Sequence, residues 1–209
     1  MTEKRLGTKT FIWAIIMSAP SPLVVGLGLL VGRSSTQIAD FVRKSAELFA
    51  IIISFIVFLR TQKYVERDEM RKQTLERRAN IFVGLMMLFA GIIMLILTFL
   101  ISHTDKGNVI PALAIIVFGG TVNSIFWIRY TRLNKTQPNS IFAVQIRLYR
   151  AKTLVDMSVI IALLSVLIAP QSVVSYWIDF IGSIIVSLYI IWSGTRTVYK
   201  QIKPLQKNG

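Results

Sequence analysis

Apolar stretches near the length of a bilayer crossing recur along this 209-residue chain, at about 11–32, 34–59, 80–101, 109–128, 145–169 and 174–195. A helix needs roughly 20 predominantly apolar residues to cross the hydrocarbon core. A helix that is apolar on every side cannot be the surface helix of a soluble domain. Charged residues make up 16% of the chain, against about a quarter in ordinary soluble domains. The pattern implies an all-α membrane protein. We expect six transmembrane helices in a single transmembrane domain over residues 1–209, with the lipid bilayer as solvent and no C-terminal cytoplasmic domain.

The net charge of +14 would suggest a nucleic-acid partner if it were spread over the surface, but its placement argues otherwise. With the N-terminus placed inside, the cations of the inner loops and ends include Lys4, Arg5, Lys9, Arg60, Arg77, Arg78, Arg129, Arg132, Arg147, Arg150, Arg196 and Lys200. On the outside, Arg33 and Lys106 cancel Asp105 and Asp179. Within the spans, Arg43, Lys44 and Lys152 cancel Asp40, Glu47 and Asp156. The whole positive excess therefore falls on one side, as the positive-inside rule requires. The reading that follows is N-in/C-in topology, with both termini cytoplasmic, an integral protein of a bacterial-type plasma membrane, and no nucleic acid.

Other classes fall away quickly. The chain has no cysteine, which removes disulfides, thiolate metal sites and cysteine catalysis. The start, "MTEKRLGTKTFIWAIIMSAP", imitates a signal peptide, but the apolar run continues past Pro20 to Val31, so an uncleaved first span is expected. Pro20 and Pro22 should kink that span. The polar link 60–78 should extend its two flanking spans as helix, with Asp68, Lys72 and Glu76 at i,i+4 spacing. Pro138 and Asn139 mark a turn in the link 129–140. His103 sits in an external turn as a solvated residue, no span contains histidine, and there is no nucleophile motif. An enzyme is not expected, and neither is a cofactor.

What remains is the charge inside the membrane. The segment "ADFVRKSAELFA" sets Asp40, Arg43, Lys44 and Glu47 at the head of the second span, and "RAKTLVDMSV" sets Lys152 and Asp156 in the fifth. Ionisable groups at this depth cost a few kcal/mol each on insertion scales (roughly 3), so by default they mark function. At ~1.5 Å per residue, Glu47 and Asp156 each fall about 20 Å from the outer end of their oppositely directed spans. The i,i+4 spacing pairs Arg43 with Glu47 and Lys152 with Asp156 within their own helices, while Asp40 with Lys44 forms a further pair nearer the external mouth. Two uses are open. The pairs are internal salt bridges that lower the cost of insertion, or the two faces converge on a polar cavity where a cation or proton competes for the carboxylates.

Several segments together resemble the transmembrane domain of the cation diffusion facilitator (cation efflux) family, over nearly the whole chain. "GRSSTQIADFVRKSAE" looks like the family's second-span pattern, "LERRANIFVGLMM" is similar to the start of its third, and Asn123 in "GGTVNSIFW" matches an asparagine common in its fourth. "RAKTLVDMSV" looks like the His-x-x-x-Asp segment of span five, and "YWIDFIGSIIVSLYIIWSGTRTVYK" is similar to span six. The resemblance implies a six-span bundle, cation/proton antiport and a homodimer. It also implies a cation site at Arg43, Glu47, Lys152 and Asp156, where the family carries four ligands for a zinc-type ion. Here two of those four places hold bases. Guanidinium has no lone pair to give, and lysine ligates only when deprotonated. A nitrogen- or sulfur-rich zinc site is therefore absent, leaving Glu47 and Asp156 as cation-binding candidates and Arg43, Lys152 and Asp40 as their charge partners. The expected function is a secondary transporter moving a cation in exchange for protons. The alternative is a degenerate, non-transporting homologue serving as a membrane assembly subunit.

Overall fold

Proline fixes the first structural event. The computed structural model describes residues 2–31, 35–63, 69–100, 110–169 and 172–202. The first apolar run is two helices, α1 (Thr2–Ser18) and α2 (Pro20–Val31). They divide at Ala19 because Pro20 has no N–H to continue the ladder and its ring clashes with the preceding turn. Then come α3 (Ser35–Lys63), α4 (Glu69–Leu100), α5 (Ile110–Thr136), α6 (Ser140–Ile168) and α7 (Val173–Ile202), with no strand among the described residues.

Four of these helices are long and apolar enough to cross a membrane: α4, α5 over Leu113–Thr136, α6 and α7. The helices also overrun the expected spans. α5 continues to Thr136 and α6 begins at Ser140, which shrinks the expected link 129–140 to three residues. Asn139 caps α6, its side-chain oxygen accepting the Ile141 N–H at 2.8 Å. This cap is why a helix can start directly after Pro138. On α4, Glu76 does not take Lys72: its carboxylate accepts the Ser140 hydroxyl from α6 instead. The external turn at 103–108, with His103, and the spacing partner Asp68 lie outside the described residues.

Burial is inverted relative to a soluble protein. Ile115, Phe118, Ile181, Ile185, Leu188 and Trp192 face outward, while Asn80, Gln145, Thr153, Asp156, Ser187 and Thr197 are buried between helices. Lipid is a good solvent for the first set and a poor one for the second, so polar groups turn inward. One end of the bundle is filled by an aromatic cluster. Phe11 of α1 lies 5.2 Å from Phe58 of α3 and 5.3 Å from Tyr130 of α5, and Phe58 lies 5.0 Å from Phe142 of α6. Above that plug, toward the middle of α3 and α6, the lining turns polar and charged.

Candidate functional site

Helix α3 supplies Arg43 and Glu47 one turn apart, on the face that also carries Ser54 two turns further on. Helix α6 supplies Gln145, Lys152 and Asp156 with the matching spacing. Arg43 donates to Glu47 Oε1 at 3.2 Å, the pair read from the i,i+4 spacing. Lys152 behaves differently. Its ammonium lies 3.4 Å from Glu47 Oε2, across the helix–helix boundary, and it makes no ion pair with Asp156 of its own helix. Glu47 thus holds a different cation on each carboxylate oxygen, and its side chain is only 13% exposed. Such a carboxylate gives up neither partner unless another positive charge replaces it.

A second polar link follows the same geometry. Gln145 Nε2 donates to Ser54 Oγ at 2.8 Å, and the serine in turn donates to the Ala50 carbonyl at 2.8 Å. The pairs 47 with 152 and 54 with 145 define one antiparallel register between α3 and α6. In that register Asp156 stands opposite Arg43, one helical turn from the level of Glu47. Approximate span ends alone place the two carboxylates level. The cross-linked register offsets them by a turn, so each acid faces the other helix's base.

Asp156 is buried, and α5 holds it. Asn123 Nδ2 donates to Asp156 Oδ2 at 2.7 Å. The helices can come that close because Gly120, one turn before Asn123, has no side chain: a methyl group there would stand 3.1 Å from Asp156 Cβ. Lys152, Glu47 and Arg43 are all near enough to act on the charge of Asp156. The side chain of Asp40, and hence its pairing with Lys44, lies outside the described residues.

A narrow crevice opens beside these groups, lined by Glu47, Lys152, Met86, Met87, Ala90 and Leu148. Its lining is apolar: Glu47 and Lys152 turn their aliphatic stems toward it, opposite Met86, Met87 and Ala90 of α4. Lys152 also rests against the Tyr149 ring, 5.3 Å from its centroid, which steadies an ammonium otherwise expensive to keep out of water. Among the described residues no three histidines, cysteines or carboxylates cluster as a metal-ligand set. The chemistry on offer is ionic: hard carboxylate oxygens held against bases of their own and the facing helix. Ser54 and Gln145 escaped the sequence reading, although both are polar residues seven positions from Glu47 and Lys152 on the same helix faces. Asn123 was visible only through the family resemblance.

Acids and bases buried between two helices of a membrane bundle are the kind of group that marks ion and substrate pathways. Residues 11–205 match the model of the cation efflux transmembrane domain, and the chain belongs to that family. No curated protein sequence matches it. Membership makes it an integral membrane protein of cation-transporter type.

Proposed function

We propose that this protein exchanges a cation for protons across the membrane, using the α3–α6 seam as its binding site. The observation that carries the reading is the doubly paired Glu47, whose second partner is a lysine from the opposite helix. In the empty state the Lys152 ammonium occupies the position a substrate cation would take. A cation arriving at Glu47 displaces it, and Lys152 swings one turn toward Asp156 on its own helix. That movement unfastens α3 from α6, and protonation of a carboxylate resets it. Gln145 keeps its amide oxygen buried and without a protein partner in the same seam, a further acceptor for the water of a hydrated ion. Oxygen donors and the absence of histidine from the apolar spans favour a hard divalent or an organic cation over zinc. The bundle would complete six crossings with both termini on the basic, inner side of a bacterial-type plasma membrane, α1 and α2 forming the first. It would pair with a second copy as a homodimer.

Reconstitution in vesicles under an imposed pH gradient tests this, with Mn2+, Co2+, Fe2+, Zn2+ and an organic cation supplied in turn. Cation uptake coupled to proton release, lost in Asp156→Asn, is the expected result. A second reading rests on the same ion pairs: a Glu47 already saturated by two bases could serve as a permanent lock in a non-transporting assembly subunit. That reading expects no flux for any cation of the panel and no rise in Tm on adding them. A true ligand at a hundredfold excess over Kd stabilises by about 2.7 kcal/mol.

A further inference from the structure

At the basic end of the bundle, α6 and α7 bring four cations together with no carboxylate paired to any of them among the described residues. Arg147 and Arg150 stand in the first turns of α6, Arg196 and Lys200 in the last turns of α7. Arg147 lies within electrostatic reach of Arg150 and Arg196, and Lys200 within reach of Arg147 and Arg196. Neutral oxygens hold the first two in place. Arg147 donates to Thr197 Oγ1 at 3.0 Å, and Arg150 donates to the Tyr189 hydroxyl. The fold therefore gathers like charges and supplies them with hydroxyls and aromatic rings rather than with an anion among the described residues.

The surface leading to this cluster identifies its counter-charge. Ile185, Leu188, Trp192, Arg196 and Tyr199 form one stripe of α7, its hydrophobic members exposed. The Arg196 guanidinium lies 5.2 Å over the Trp192 ring. An apolar face that passes through tryptophan and tyrosine into arginine and lysine matches the lipid gradient from acyl chain to headgroup. We propose that Arg147, Arg150, Arg196 and Lys200 form a binding site for the phosphate of an anionic lipid headgroup, with the lipid's chains lying along Ile185 and Leu188. Basic pockets between helices at this level take such headgroups, and each nearby base adds about fivefold to affinity. The site is separate from the α3–α6 seam and stands whether or not the chain transports.

The test uses the purified full chain in neutral detergent, titrated with phosphatidylglycerol, phosphatidylcholine or inorganic phosphate and read by Tm and by retained lipid in native mass spectrometry. Phosphatidylglycerol should be retained and raise Tm, while phosphatidylcholine and inorganic phosphate should not. Arg196→Gln with Lys200→Gln, both exposed positions, should weaken phosphatidylglycerol binding about thirtyfold. Lys72→Gln with Arg78→Gln on α4 removes the same charge elsewhere at the basic end and should leave it within about twofold. Equal weakening by the two double variants would reduce the site to diffuse attraction and overturn the proposal. An equal response to inorganic phosphate would overturn the assignment to lipid.

Discussion

Where α4 crosses α7, the backbones approach until there is no room for a methyl group: one added at Gly194 would lie 2.8 Å from the Leu88 amide nitrogen and 2.9 Å from the Gly84 carbonyl oxygen. Where α3 meets α6, the backbones hardly touch, and side chains reach across instead, Lys152 to Glu47 and Gln145 to Ser54. The first seam is built from dispersion between close backbones, the usual way helices associate in lipid. The second is built from ion pairs and hydrogen bonds that water or another ion can replace. A bundle that must open and close around a charged solute needs both: a pair of helices that stays together, and a pair whose contacts can be exchanged. On this account α4 and α7 are the frame and the α3–α6 seam is the working part.

The largest effect should come from the frame. Gly194→Val drives a branched side chain into backbone atoms that cannot yield, so it should cost about 3 kcal/mol, the upper end of overpacking. Thermal denaturation in detergent should show the loss with every cation tested, because no ion site is touched. A Tm within a degree or two of wild type would mean that the α4–α7 seam is looser than its geometry says.

Glu47→Gln should cost less stability and more function. It leaves Arg43 and Lys152 without their shared anion, but their side chains are 17% and 15% exposed. The penalty should therefore fall below the fully buried case, at about 2 kcal/mol. Cation flux should disappear. The variant with Lys152→Gln as well should recover part of the lost Tm, since it removes one stranded base. If the two losses simply add, the cross-helix pair contributes no coupling.

The smallest effect belongs to the α5–α6 contact. Asn123→Ala removes the amide that donates to Asp156 and should cost about 1.5 kcal/mol, in the range for a hydrogen bond to a carboxylate. Flux should persist at a lower rate with a shifted pH profile, because Asp156 loses its neutral donor but keeps its charged neighbours. An unchanged pH profile would remove Asn123 from the site while leaving the frame and the seam intact.

Much of this comparison could be read before any coordinates, for definite reasons. Apolar run length fixed the class of protein, and i,i+4 spacing fixed Arg43–Glu47, because both are properties of a single helix. The partner of Lys152 could not be read that way. Its choice between Asp156 on its own helix and Glu47 on the opposite one depends on inter-helix register, which approximate span ends locate only to about a turn. The Gly84–Gly194 crossing was hidden for the same reason: a glycine's role as a contact point depends on what stands opposite. Proline at position 20 was legible as a kink in the first apolar run, and the helix is interrupted at Ala19, directly before it. The family resemblance supplied Asn123, which no single-helix pattern singles out.

The cysteine-free sequence allows the central claim to be tested directly. Ser54→Cys with Gln145→Cys places thiols at the two ends of the 2.8 Å polar link between α3 and α6. A short bis-methanethiosulfonate would join them reversibly, and flux would be measured in reconstituted vesicles before joining, after it, and after reduction. If this seam must part for cations to pass, flux is present, then absent, then restored. Flux that continues undiminished through a fully joined α3–α6 seam would contradict the account.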